Sequence, residues 1–125
     1  MRVWGFLLLL TAVCGFVLPK TARAQEPWGE MSADPNPCRI EPGHEECTAH
    51  IRWKTRNVQR VKVFVTSEGK HHEVEHEFST QLHCEEHNCR APWISADTRY
   101  KFELFDFTRG DRGRLLGTVT VRGER

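Results

Sequence analysis

Beyond its first residues the chain has no hydrophobic run long enough to cross a bilayer. It has no convincing helical segment either, and no excess of one charge: 18 Lys and Arg stand against 17 Asp and Glu in 125 residues. The first absence excludes a later membrane-spanning helix, which needs about 20 apolar residues. The balance of charge argues against nucleic acid as a partner, because phosphate binding requires clustered basic side chains in clear excess. No nucleophile and base are arranged in a recognisable motif, so no catalytic residue is assigned, no cofactor is implied and no enzyme is expected.

What is present begins with Met1 and Arg2, an apolar stretch from Val3 to Leu18, then Pro19, Lys20 and Ala22-Arg23-Ala24. A short basic start, an apolar middle and a small-residue end form the layout of a secretory signal peptide. Residues 1–24 are therefore expected to be removed after Ala24, Cys14 with them, leaving a secreted or periplasmic protein without a transmembrane segment. The signal holds Arg2, Lys20 and Arg23 and no acidic residue, so its loss turns the formal charge of +1 into −2. What remains suits one domain.

Four cysteines lie beyond the signal: Cys38, Cys47, Cys84 and Cys89. In a small exported chain an even count reads as two disulfides, with three possible connectivities. The local pairs, Cys38 with Cys47 and Cys84 with Cys89, are favoured. Residues 25–36, rich in Pro, Gly and polar side chains, read as a flexible leader. From there to residue 123 the pattern is that of strands. Cys47, Ala49, Ile51 and Trp53 alternate with polar neighbours, and Val61, Val63 and Val65 alternate with Lys62, Phe64 and Thr66. Tyr100, Phe102 and Leu104 repeat the period, as do residues from near Leu115 through Val119 and Val121. Turns are expected around Asn57 and over Ser67-Glu68-Gly69-Lys70. Val74, Phe78 and Leu82 fit either a helix or a strand, and the all-β context favours strand. The sum predicts an all-β, two-sheet antiparallel sandwich of about seven strands over residues 37–123.

The stretch Ala91-Pro92-Trp93-Ile94-Ser95-Ala96-Asp97-Thr98-Arg99-Tyr100-Lys101-Phe102-Glu103-Leu104 resembles the fifth strand, turn and sixth strand of fibronectin type III and related immunoglobulin-like domains. Ile51-Arg52-Trp53 resembles their second strand with its core tryptophan. The chain departs from the pattern in carrying Trp93 where Leu is commoner and in having two disulfides. Asn36-Pro37-Cys38, a second Cys before Ile-x-Trp and a late Pro-Trp-Ile are similar to small accessory domains of exported bacterial proteins. The resemblance implies a non-catalytic module whose core holds Trp53, Trp93, Tyr100, Phe102 and Leu104, and it specifies no ligand. A buried Tyr100 is also expected to bond backbone through its hydroxyl, because a buried phenol needs a partner.

Three motifs bear on function. His72-Glu73-Val74-Glu75-His76 matches the zinc-hydrolase pattern H-E-x-x-H, whose chemistry requires a helix. In a strand, positions four apart are separated by about 13 Å, too far to share one ion. The wider set of His71, His72, His76, His83 and His87 would bind metal if neighbouring strands brought two or three together. Arg109-Gly110-Asp111 falls between two predicted strands, similar in place to the adhesive loop of the integrin-binding fibronectin module, although turns favour Gly and Asp in any case. The preferred expectation is an exported interaction module that contacts protein or carbohydrate through loops on a rigid sandwich. Phe64, Phe105 and Phe107 would form a contact surface if exposed, but ordinary packing against a neighbouring strand is the expected role of any one of them.

Overall fold

The computed structural model describes Gly15 and residues 26–69, 74–85 and 89–125. The expected signal peptide apart from Gly15, and His71, His72, Glu73 and His87, lie outside the described residues. Eight strands follow one another: β1 (Trp28–Asp34), β2 (Cys38–Arg39), β3 (Glu46–Arg56), β4 (Val61–Glu68), β5 (Val74–Ser79), β6 (Arg90–Ser95), β7 (Arg99–Asp106) and β8 (Leu115–Glu124). They form a three-stranded sheet in the order β1-β3-β6 and a five-stranded sheet in the order β2-β8-β7-β4-β5. The pairs are antiparallel except β2 with β8, which is parallel. This is the two-sheet all-β architecture that the alternation predicts.

Side chains recurring at every second position account for the core. Ala49, Ile51 and Trp53 of β3, Val61, Val63 and Val65 of β4, and Tyr100, Phe102 and Leu104 of β7 are buried, as are Ile94 and Val121. Rings then interlock within that layer. Phe78 meets Phe102 edge-on at 5.1 Å and Trp53 at 6.2 Å, while Trp93 lies 5.1 Å from Tyr100. Trp93 is only half-buried, because β6 is the edge of its sheet. Such edge-to-face contacts add about 0.5–1.5 kcal/mol each beyond area burial. Val74–Ser79 is extended, as the all-β context predicts, and forms the outer edge of the five-stranded sheet.

The segment expected to be a flexible leader is instead largely β1, paired with β3 from Trp28↔Arg56 to Asp34↔His50. Its inward residues are small or flexible: Gly29, Met31 and Ala33. A Cβ on Gly29 would lie 2.8 Å from Leu116 Cβ and 2.9 Å from Leu104 Cδ2. The glycine that reads as looseness in the sequence therefore permits close packing between the sheets. The sandwich consequently has eight strands and runs from Trp28 to Glu124.

Two smaller expectations also shift. β4 continues through Ser67 and Glu68, so the turn expected there starts at Gly69. Leu115 is 45% exposed, because the register slips between Leu104↔Gly117 and Phe105↔Leu115. That bulge turns Leu116 inward in its place. Asn57 does turn the chain, with φ of 60°, a conformation Asn tolerates better than most residues.

Both disulfides form the local pairs. Cys38–Cys47 joins β2 to β3 and so ties one sheet to the other, while Cys84–Cys89 closes the connection between β5 and β6. That connection runs along β3 where β6 has ended. Trp53 N–H donates to the Cys84 carbonyl at 2.9 Å, Cys84 N–H returns a bond to Trp53 at 3.0 Å, and Ile51 N–H donates to Cys89 at 2.9 Å. The Trp53 indole donates to the Gln81 carbonyl at 2.8 Å. Two disulfides in a domain of this size fit an oxidising compartment.

Tyr100 behaves as a buried phenol must. Its hydroxyl accepts from Ser95 N–H at 3.2 Å and donates to the Trp93 carbonyl at 3.3 Å. This fixes the turn between β6 and β7, where Asp97 has φ of 57°.

Candidate interaction surface

The side chains of β4 and β7 that do not enter the core emerge on the outer face of the five-stranded sheet. Lys62 pairs with Phe105 and Phe64 with Glu103, so Phe64 and Phe105 are diagonal neighbours, within reach for aromatic rings. Their centroids are 6.0 Å apart, and Phe107 lies 5.9 Å from Phe64. All three rings are half-buried. Together they make an aromatic strip with no strand laid across it among the described residues.

Cations cover part of this strip. The Arg112 guanidinium sits 4.3 Å from the Phe64 centroid and 4.7 Å from that of Phe105, and the Lys62 ammonium lies 5.0 Å from Phe107. Both are drawn by the negative faces of the rings. Carboxylates on β5 hold them there. Arg112 pairs in fork fashion with Glu75, the longer of its two contacts being 3.4 Å, and Lys62 reaches Glu77 at 3.3 Å. The hydrogen bond to Glu75 is the main cause raising the Arg112 pKa above its ordinary value. Arg112 is thus a charged group held in a defined pose, with part of its fork still facing solvent.

The pose depends on the hairpin from Phe107 to Arg114. Asp106 Oδ1 accepts from Thr108 N–H at 2.8 Å and from its hydroxyl at 2.6 Å. Gly110, with φ of 87°, donates its N–H to the Phe107 carbonyl at 2.8 Å. Gly113 N–H donates to the Asp106 carbonyl at 2.8 Å, and a Cβ there would stand 2.8 Å from that same oxygen. The hairpin is stitched to the connection between β3 and β4 by Phe107 N–H to Arg60 carbonyl at 2.8 Å and Gln59 N–H to Thr108 Oγ1 at 3.1 Å.

Arg109, Gly110 and Asp111 occupy the tip of this hairpin and are exposed, so the tripeptide is presented to solvent. The expected histidine cluster is described only in part. His76 is exposed on β5 and His83 is exposed in the β5–β6 connection. Extended backbone over Val74–Ser79 removes the helical face that H-E-x-x-H needs at its second histidine. Cys84 and Cys89 share a disulfide and have no thiolate to offer. No group of three His, Cys, Asp or Glu suited to a metal is present among the described residues.

A separate apolar cleft of about 330 Å³ opens between β5 and β6, walled by Val65, Phe78, Trp93 and Tyr100 with His76 at its edge. Among the described residues no polar or charged residue is buried. The sequence marks the three phenylalanines as surface candidates but carries no sign of Arg112 as their partner. That contact comes from the fold of the hairpin, which returns a residue six positions after Asp106 over β4. Comparison of the chain with protein-family models, curated proteins and solved structures found no match.

Proposed function

We propose that the chain is an exported, immunoglobulin-like, non-catalytic module that binds a protein through the outer face of its five-stranded sheet. The aromatic strip of Phe64, Phe105 and Phe107 capped by Arg112 carries this reading. Aromatic residues and arginine are enriched at the centres of protein interfaces and dominate their energetics.

Support for the immunoglobulin-like assignment is topological. The three-stranded sheet has the order of strands A, B and E of such domains, and the larger sheet sets G, F and C side by side with one further strand beyond C. Tyr100 and its bonds to Ser95 and Trp93 match the tyrosine corner of that fold. The apolar stretch from Val3 to Leu18 and the two disulfides support export.

The test compares partner capture from the native exported fraction by the disulfide-intact chain and by a Phe64→Ser/Phe105→Ser variant, with near-ultraviolet circular dichroism as the fold control. Loss of a stoichiometric protein partner by a folded variant supports the reading. Undiminished capture by that variant, or turnover of a substrate by the parent, refutes it.

A further inference from the structure

The register slip in β8 sends its two leucines to opposite sides of the larger sheet. Leu116 packs on the core, and Leu115 comes to lie directly opposite Phe105, whose ring is on the outer face. Side chains so opposed have Cβ atoms about 4.5–5.5 Å apart. Leu115 therefore adjoins the aromatic strip and carries it onto a third strand, giving an apolar row of Leu115, Phe105, Phe64 and Phe107. The three rings are half-buried, whereas Leu115, at 45%, is the most exposed large apolar side chain among the described residues. The charges beside this row are already matched. Arg112 is paired with Glu75 and also feels Glu103, Lys62 is paired with Glu77, and Arg114, next to Leu115, reaches Glu26 at 3.8 Å. Lys101 lies 3.8 Å from Glu103. The surface is thus an apolar row bordered by ions that neutralise one another.

We infer that Leu115 is a binding residue of this surface and that the segment it takes from the partner protein is uncharged and apolar. Interfaces match potential to potential, and here the complement of a neutralised border is a neutral segment. A charged segment would have to break an existing ion pair to gain one of its own. An apolar segment gains by covering four contiguous side chains whose burial is incomplete. The other two exposed apolar residues lie off this row. Trp28 belongs to the smaller sheet and has the Arg56 guanidinium 4.8 Å from its centroid. Val74 shares its parity with His76, whose partner Val65 is buried, so it stands on the opposite face of β5. This inference rests on the protein-binding reading above and adds a contact residue and the chemistry of the segment that meets it.

Peptides enriched from a random phage-displayed library on the immobilised, disulfide-intact chain serve as the probe, and fluorescence anisotropy in low and high salt measures their binding. They are expected to be rich in apolar side chains, to carry no net charge and to change affinity by less than about twofold between the two salt conditions. Leu115→Ser, its fold checked by near-ultraviolet circular dichroism, is expected to weaken them about threefold to tenfold, the worth of covering the exposed part of a leucine. Val74→Ser, 44% exposed in the parent but on the opposite face, should stay within about twofold. Enrichment of acidic or basic peptides, an affinity that falls about tenfold or more with salt, or unchanged binding by Leu115→Ser overturns the inference. The Phe64→Ser/Phe105→Ser variant separates the two claims. Peptides that fail on this variant but bind Leu115→Ser as they bind the parent sink the inference alone. Where they bind both variants as the parent and partner capture also persists in both, the protein-binding reading falls with it.

Discussion

Replacing Gly123 with Ala should unfasten one end of the sandwich. A Cβ at this position would press into the Ser95 carbonyl oxygen, 2.7 Å from its carbon and 3.2 Å from Ile94 Cγ2. Neither side has room to retreat. Gly123 pairs with Cys38 of β2, donates its N–H to the Thr98 carbonyl at 3.2 Å and accepts from Asp97 N–H at 3.1 Å. Ser95 is paired with Glu46 and bonds the Tyr100 hydroxyl. Overpacking typically costs about 1–3 kcal/mol, and a clash against backbone held from both directions belongs at the upper end. The reduced chain entropy of Ala in the unfolded state returns about 0.4–1 kcal/mol at most. A net loss of about 2–3 kcal/mol corresponds to a fall in melting temperature of roughly 10–20 °C for a domain of this size. Urea unfolding with the disulfides intact should show a lower midpoint at unchanged slope. Gly110→Ala is the control, because a Cβ there meets nothing within 4 Å and only its φ of 87° is unfavourable. That variant should lose about 1 kcal/mol. If Gly123→Ala costs no more than Gly110→Ala, the close approach of β8 to β6 is not as described.

Tyr100→Phe keeps the ring and deletes a hydroxyl bonded to Ser95 and Trp93, so thermal unfolding should show a loss of about 1–3 kcal/mol. Opening the Cys84–Cys89 bridge with Cys84→Ser/Cys89→Ser releases a loop of sequence separation 5, and a denaturant series should register about 2 kcal/mol. Arg112→Ala removes an ion pair whose partners are 43% and 38% exposed. Its stability should fall by less than about 1 kcal/mol, while partner capture drops, a split that a purely structural arginine would not produce.

How much was legible in the sequence depended on where each strand lies. β3, β4 and β7 bury one face completely, so Ile51 and Trp53, Val61 to Val65, and Tyr100 to Leu104 alternate without interruption. β1 is an edge strand packed closely across the sandwich, and its inward Gly29 and Ala33 carry too little apolar surface to show a period. The bulge at Leu116 was equally hidden, since a one-residue slip leaves composition untouched and changes only which leucine points inward. The local disulfide pairs were readable because short separations were favoured from the outset. The surface was half readable: Phe64 alternates with Val63 and Val65 and shares its strand face with Lys62 and Thr66, and Phe105 shares its face with Lys101 and Glu103. Arg112 and Glu75 are 37 positions apart and meet only because the hairpin folds back over β4 and the strand beyond it.

The outermost strand, β5, ends the larger sheet, with no strand along its outer side among the described residues. Two molecules approaching there about a twofold axis, with like faces aligned, must set residues of equal parity opposite each other. Centred on residue 75 or 77, that register opposes a glutamate to its own copy; centred on 76, it opposes Glu75 to Glu77 in both directions. Like charges directly across a ladder are destabilising, so this rim discourages ribbon-like stacking of one copy on the next.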